Sequence, residues 1–308
     1  MRLFDLHCDT LYECVQQNIS LAHNTGQVDL ERGRAFSPWY QCFAVWVRDG
    51  TPPADAAALT AQMLRKAEQF EADYPADFHV VRSSAEFSFT PQTACTAVLT
   101  VENGGVAAGG TELPDSWIDA GVKMVSLTWN GENGWATGCA GNPAKGLTSA
   151  GREAVRKMER NGIRPDAAHL NRRGFWELAE LTARPFAVSH TASAALQPLA
   201  RNLTDAQFVT VRDRGGVVGV DFCKEHLGAQ TVDRFIAHLE YFLSLGGEKT
   251  VALGCDFDGI TLPPAWQGMR VLETLYDRLL QRNYAERLVE DIFFHNACRF
   301  FTNIQNKG

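Results

Sequence analysis

Eight short apolar segments, separated by stretches with helical periodicity, constrain the fold of this 308-residue chain more than any other feature. The predicted strands cover residues 3–8, 41–47, 96–102, 122–128, 164–169, 185–190, 216–222 and 250–256. Several of these segments are continuously apolar, which is typical of strands that are buried on both faces. Eight such strands alternating with helices predict an α/β fold, a (β/α)8 barrel of the TIM type.

Amphipathic segments between the strands supply the helices of such a barrel. Helices are predicted over residues 54–72, 149–161, 231–244, 269–281 and 284–301, and a capping box at Thr204 opens another. An open doubly wound sheet is the alternative fold, but no phosphate-binding glycine motif follows any predicted strand. Because no linker or change of composition divides the chain, residues 1–308 are predicted to form a single hydrolase domain.

Composition excludes several classes of protein. The net charge is −7 and no basic run occurs, so a nucleic-acid partner is not expected. No apolar stretch approaches the roughly 18 residues that a membrane span requires. The N-terminus lacks the charged and apolar regions of a secretion signal, so a cytoplasmic location is expected. The eight cysteines form no C-x-x-C pair and are interpreted as reduced core thiols.

Potential metal ligands stand at the ends of predicted strands. His7 and Asp9 alternate along the first strand, so their side chains face the same way. Glu102 ends the third strand, and a carboxylate can bridge two divalent ions. His169 and His190 end the fifth and sixth strands, and neutral imidazole suits zinc, manganese or iron. Each residue by itself also fits an ordinary structural role, but a closed barrel would bring all five to one mouth.

Asp256 stands at the end of the eighth predicted strand and completes a set suited to hydrolysis. An aspartate there could accept a proton from an attacking water and pass it to the leaving group. Two metal ions about 3.5–4 Å apart lower the pKa of a shared water towards neutrality, so Glu102 and Asp256 are the candidate catalytic residues. Asp258 is interpreted as a turn-capping carboxylate. The Gly- and Asn-rich segment 128–146 follows the fourth strand and is predicted to be an active-site loop.

Over nearly its whole length, the chain resembles the membrane (renal) dipeptidase family of zinc peptidases, within the amidohydrolase-like barrels. The resemblance lies in ordered segments: DLHCDT, TVENGG, SLTWN, GLTSAGREAVRKMERNGIRPDAAHLN, PFAVSHTASAAL, ARNLTDAQF, GCDFDGI and HNACRFF. Ordered matches of this kind are far more specific than any one motif. The resemblance implies a bacterial-type dipeptidase that cleaves dipeptides, including those with a C-terminal D-residue, and that forms a homodimer.

The resemblance also assigns roles to individual residues. It implies two zinc ions per chain, with other divalent metals as alternatives. His7 and Asp9 would bind one ion, Glu102 would bridge both, and His169 and His190 would bind the other. Asp256 would handle the proton. Arg201 would bind the terminal carboxylate of the substrate, a task that suits a guanidinium fork.

One departure from the family pattern concerns the fourth strand. Where the family has histidine in L-T-H-N, this chain has Trp129, followed by Asn130. Indole N–H donates one hydrogen bond but cannot become cationic. Trp129 and Asn130 are predicted to contact the substrate, and Trp129 fits equally well as a packing residue at the mouth. Two other hypotheses therefore stay open: a hydrolase of another amide, an acylated amino acid or a lactone, and a non-catalytic binding protein that kept the barrel.

Overall fold

A closed barrel of eight parallel strands forms the centre of the computed structural model, which describes residues 1–87, 93–110 and 112–302. The strands are β1 (Leu3–Cys8), β2 (Trp39–Trp46), β3 (Phe78–Val80), β4 (Cys95–Glu102), β5 (Met124–Ser126), β6 (Arg164–Asp166), β7 (Ala187–Thr191), β8 (Val217–Val220) and β9 (Val251–Leu253). Pairing runs β1-β2-β4-β5-β6-β7-β8-β9 and returns to β1, so the ring closes. This is the predicted (β/α)8 architecture, and it directs the carboxyl ends of all eight strands to one mouth.

The three-residue strand β3 is an addition that the sequence did not predict. It pairs in parallel with the start of β4, Phe78 opposite Cys95 and Val80 opposite Ala97. Strand β2 pairs along one edge of β4, and both β3 and β5 pair along the other edge. There is room for β3 because β5 pairs with β4 only from Thr100 onwards. A segment this short leaves no usable periodicity in the sequence.

Helices surround the barrel. They are α1 (Thr10–Gln17), α2 (Leu30–Gly33), α3 (Pro53–Asp73), α4 (Gly104–Ala107), α5 (Asp115–Asp119), α6 (Ser149–Arg160), α7 (Arg172–Leu181), α8 (Asp205–Asp213), α9 (Lys224–Leu227), α10 (Val232–Ser244), α11 (Val271–Gln281), α12 (Glu286–Glu290) and α13 (Asn296–Thr302). Of these, α3, α6, α8, α10 and α11 follow predicted segments, α12 and α13 divide the one predicted over 284–301, and the other six were not predicted. A π-helical turn, Asp291–His295, joins α12 to α13. Thr204 caps α8 with the predicted capping box. None of the helices in the described ranges is both long and apolar enough to cross a lipid bilayer.

Aromatic side chains fill the amino-terminal end of the barrel. Phe4 of β1 stacks on Tyr40 of β2 at a ring-centroid distance of 4.9 Å and on Phe301 of α13 at 5.3 Å. Phe294, in the π-helical turn, packs at 6.4 Å from Phe4. Rings of this size bury a large apolar area and leave no channel through the barrel. The open end is therefore the carboxyl-terminal mouth.

Candidate metal centre

Bulges interrupt two strands where they carry histidines. Asp5 of β1 pairs with Gln41 of β2, and Cys8 pairs with Phe43. The chain therefore advances three residues along β1 where it advances two along β2. Strand β7 has the same kind of shift between Val188 and Thr191, around His190. A bulge adds a residue and redirects the side chains beside it. Both irregularities occur at predicted ligands, His7 and His190.

Two other site residues lie beyond their strands rather than on them. His169 was predicted on a strand ending at 169, and Asp256 on one ending at 256, but β6 ends at Asp166 and β9 at Leu253. Both have left-handed backbone, with φ of 65° for His169 and 61° for Asp256. This conformation is uncommon for residues other than glycine and is concentrated at functional sites.

Buried carboxylates explain why these strands end early. Asp166 Oδ1 accepts the backbone N–H of Ala168 at 2.9 Å, and Asp5 Oδ1 accepts that of Cys255 at 2.8 Å. The two carboxylates thus accept the hydrogen bonds that the backbone amides of Ala168 and Cys255 would otherwise donate to a neighbouring strand. The chain can then leave the sheet one residue before His169 and one residue before Asp256.

Glu102 lies at the centre of the converged residues. Its Oε2 is 3.2 Å from His7 Nε2. Its Oε1 is 2.9 Å from His169 Nε2 and 3.8 Å from His190 Nε2. The two oxygens therefore point to different histidines, with His7 on one side and His169 with His190 on the other. This is the arrangement expected of a carboxylate that bridges two cations.

The side of the centre around His7 carries two further carboxylates. Asp9 Oδ2 lies 3.8 Å and Asp256 Oδ1 lies 3.6 Å from His7 Nε2. His7 Nε2 and Asp9 Oδ1 are buried without a hydrogen-bond partner. Unsatisfied polar atoms are costly in a protein interior, so their convergence fits a bound cation. Within the described residues, His7 forms two groups suited to a metal, one with Glu102 and His190 and one with Asp9 and Asp256.

The electrostatics of the centre also fit cations. Burial lowers the pKa of His169 and of His190 well below its usual value, so both imidazoles are neutral and can offer a lone pair. Burial by itself would lower the pKa of His7, but the charges of Glu102 and Asp9 raise it well above its usual value. Burial also raises the pKa of Glu102 and of Asp256. Divalent ions bound beside these carboxylates would supply positive charge that favours their ionised form.

Outer hydrogen bonds orient two of the histidines. Asn130 Oδ1 lies 2.9 Å from His169 Nδ1, and Ser189 Oγ lies 2.9 Å from His190 Nδ1. Ser189 in turn donates to the buried carboxylate of Asp166. Such contacts direct each Nε2 towards the centre, where the two Nε2 atoms lie 2.8 Å apart and could face a metal. Asn130, which was predicted to contact substrate, therefore stands behind His169, on the side away from Glu102.

Replacing Asn130 by Ala is expected to lower the binding affinity for one metal ion about 10- to 100-fold, because His169 loses the hydrogen-bond partner that fixes the orientation of its ring. Titration of metal-free protein with zinc, followed by calorimetry, measures this effect. Asn161→Ala, at the exposed end of α6, is the matched control and should change neither metal affinity. If Asn130 acts on the substrate instead, the Michaelis constant will rise while both metal affinities stay the same.

A cavity of about 280 Å³ opens directly onto these residues. It is lined by Asp9, Tyr12, Glu13, Trp46, Arg48, Glu102, Trp129, His169, His190, Asp256, Asp258 and Gly259. Trp129 packs edge-on against Trp46 at 5.2 Å and lies 6.4 Å from the ring of His169. The volume suits a small ligand, since sites for small molecules usually measure about 300–1,000 Å³.

Arg201 approaches the centre from the segment after β7. Its Nη2 donates to the carbonyl oxygen of His190 at 2.7 Å, and its Nε is buried without a hydrogen-bond partner. Its positive charge contributes to the lowered pKa of His169 and His190. One side of the guanidinium thus braces a candidate ligand, while Arg201 is not among the residues that line the cavity.

Asp258, which was predicted to cap a turn, instead makes long-range hydrogen bonds. Its carboxylate accepts from Thr10 Oγ1 at 2.6 Å and from the backbone N–H of Gln27 at 2.6 Å. The side chain of Gln27 accepts in return from the Asp258 backbone at 3.1 Å. These bonds tie the loop that carries Asp256 to the start of α1 and to residue 27.

Sequence reasoning missed two groups of residues near the centre. Tyr12, Trp46 and Arg48 line the cavity but form no recognisable motif. Beyond β8, His226 Nδ1 lies 2.8 Å from Asp221 Oδ2, and the charge of Asp221 contributes to the raised pKa of Asp256. The available signal was a carboxylate near the end of the predicted strand 216–222, where Asp221 follows the apolar run of β8.

Comparison with known proteins was made against families, curated sequences and solved structures. Residues 1–308 match the family model described as membrane dipeptidase (peptidase family M19). The chain is 29% identical over 267 residues to the uncharacterized protein in pqqA 5'region of Klebsiella pneumoniae, covering 82% of this chain and 98% of that one. It is 25% identical over 314 residues to an uncharacterized dipeptidase of Schizosaccharomyces pombe, covering 94% and 76%. A Rhodobacter sphaeroides metallopeptidase, liganded with a phosphinate mimic of L-Ala-D-Ala, superposes with a TM-score of 0.90 at 24% identity, covering 99% of each chain, which confirms the fold.

Proposed function

Because the chain belongs to the membrane dipeptidase family, peptidase family M19, and is a dipeptidase, we propose that it works through two divalent cations, with zinc as the first candidate. His7 and Asp9 would hold one ion, and His169 and His190 the other. Glu102 would bridge them. Histidine and carboxylate ligands suit zinc and also accommodate manganese or iron.

The observation that carries this proposal is the division of Glu102 between two sets of ligands. Oε2 faces His7 and Oε1 faces His169, both within 3.2 Å. A structural ion pair would not require three buried histidines around one carboxylate, nor leave His7 Nε2 without a hydrogen bond. When bound, the paired ions would lower the pKa of a water and polarise the scissile carbonyl.

The remaining steps belong to side chains of the protein. Asp256 would accept one proton from the attacking water and deliver it to the amine as the peptide C–N bond breaks. Its position beside His7, at 3.6 Å, puts it within reach of the centre. Arg201 would hold the substrate carboxylate with the donors that do not brace His190. Trp129 would form one wall of the cavity, in edge contact with Trp46.

The size of the cavity and one relative together indicate the substrate. A volume of about 280 Å³ leaves room beside the centre for a small molecule rather than for a long peptide. The structurally similar Rhodobacter sphaeroides protein holds a mimic of L-Ala-D-Ala. We therefore extend the proposal to dipeptides with a free carboxylate and either an L- or a D-residue at the C-terminal position.

Elemental analysis combined with a substrate panel tests the proposal. We expect two equivalents of zinc per chain after metal loading, and hydrolysis of L,L- or L,D-dipeptides that a chelator abolishes. The panel should include N-acyl amino acids and lactones, because Trp129 replaces the histidine of the family pattern. Full metal loading with turnover of those compounds, and of no dipeptide, would contradict the proposed substrate class. Fewer than one metal per chain would contradict the two-ion centre.

A further inference from the structure

We propose that Arg48 forms a subsite for an acidic side chain on the N-terminal residue of the substrate. This inference rests on the proposed dipeptidase function and deepens it by naming a substrate class. Arg48 lines the cavity at the metal centre and follows β2 by two residues. Neither the metal chemistry nor the proton transfer requires it.

The topology places Arg48 across the mouth from Arg201. Arg48 follows β2, and Arg201 follows β7. In the closed ring β1-β2-β4-β5-β6-β7-β8-β9, these two strands are four positions apart, so they are diametrically opposed. Arg48 lies in the wall of the cavity after β2, and Arg201 is held at the β7 side by its bond to the carbonyl oxygen of His190. A dipeptide whose terminal carboxylate binds Arg201 would extend its N-terminal residue towards β2.

Arg48 has no ion-pair partner among the residues that the structure describes. Its guanidinium lies 5.9 Å above the ring of Trp46. The adjacent carboxylate of Asp49 is engaged elsewhere, because it accepts from Gly131 N at 2.7 Å and from Asn103 Nδ2 at 2.9 Å. Arg48 thus keeps its hydrogen-bond donors available at the cavity.

Aromatic side chains give this subsite a defined shape. Tyr12 packs edge-on against Trp46 at 4.8 Å, and Trp46 packs edge-on against Trp129 at 5.2 Å. The apolar part of a glutamate or aspartate side chain could lie along this wall and bring its carboxylate to Arg48. Glu13 lines the same cavity from α1, at the β1 side, where it suits the free amine of the same residue.

Matched dipeptides measure the contribution of Arg48. We expect wild-type enzyme to hydrolyse Glu-Ala at least about tenfold faster, by kcat/KM, than the isosteric Gln-Ala, which corresponds to one charge-assisted hydrogen bond. Lys-Ala should be slower than Gln-Ala because the two cations repel each other. The C-terminal alanine should be the enantiomer that the wild-type enzyme prefers.

Variants at position 48 separate charge from general binding. Arg48→Gln should bring the Glu-to-Gln ratio close to one, Arg48→Lys should keep a preference for glutamate, and Arg48→Glu should favour Lys-Ala. Arg287→Gln, on exposed α12, is the matched control and should leave every ratio unchanged.

Other results would contradict either the Arg48 subsite or the dipeptidase function, and the two cases can be distinguished. A wild-type ratio near one, or an Arg48→Gln variant that slows all dipeptides equally, would overturn the subsite while leaving the dipeptidase function intact. Equal slowing would show that Arg48 holds the terminal carboxylate instead. If metal-loaded wild-type protein hydrolyses no dipeptide, the proposed function fails and the subsite fails with it.

Discussion

Replacing Glu102 by Gln is expected to reduce bound metal from two ions per chain to one or fewer and to abolish turnover. The amide has the same shape as the carboxylate, but its nitrogen cannot coordinate a cation and its negative charge is gone. Because Oε1 and Oε2 face different histidines, the loss affects both halves of the centre. We expect kcat/KM to fall by at least about four orders of magnitude, since hydroxide is no longer available at neutral pH. Elemental analysis and steady-state kinetics measure the two effects.

The Glu102 prediction has a direct control in Glu153→Gln on the exposed face of α6, which removes the same charge far from the mouth. That variant should keep both metals and full activity. Retention of two ions by Glu102→Gln would mean that the carboxylate does not bridge them. If circular dichroism shows that Glu102→Gln does not fold, Glu102→Asp replaces it in the zinc titration. Aspartate preserves the negative charge at this position.

Replacing Asp256 by Asn should separate catalysis from metal binding. We expect both ions to stay bound while kcat falls about 10²- to 10⁴-fold, the contribution of one positioned acid or base. The side chain is buried beside the centre and lies 3.6 Å from His7 Nε2, so it can reach a proton there. Asparagine fills the same space but cannot accept a proton at neutral pH.

Metal content decides between two roles for Asp256. It forms one of the candidate ligand groups together with His7 and Asp9. If Asp256→Asn loses one ion together with its activity, the carboxylate is a ligand rather than a proton carrier. A normal rate with two bound ions would remove it from the mechanism altogether. Asp277→Asn, at an exposed position of α11, is the control for the loss of one carboxylate.

Predictability differed between the barrel and the details of its mouth. The eight strands of the ring could be predicted because continuous apolar runs are required wherever a strand is buried on both faces. The ends of β6 and β9 were placed three residues too late, because Ala167, Ala168, Gly254 and Cys255 continue the apolar runs. The carboxylate of Asp5 accepts from the backbone amide of Cys255 on a distant segment, and that of Asp166 accepts from Ala168, two residues further on. Apolar periodicity carries no information about such contacts.

The cavity walls were the least predictable part of the site. Trp46 closes an apolar strand and looks like a core residue in the sequence, while Arg48 looks like an ordinary charged residue in a turn. Their common role at the mouth follows from the pairing of Trp46 with Glu102 across β2 and β4. Neighbours on adjacent strands can be 56 positions apart in the chain, so no local pattern connects them.

The sequence by itself determined the strands and helices of the barrel and the chemical types at the ends of its strands, because burial and hydrogen bonding act on local composition and spacing. Only the tertiary structure decided how those side chains are aimed. Asp5 reaches Cys255 across 250 positions, Asp166 accepts from the backbone N–H of Ser189 across 23 positions, and bulges redirect His7 and His190. Such contacts form between segments that meet only after the ring closes, and therefore the division of Glu102 between two sets of ligands is a property of the closed barrel.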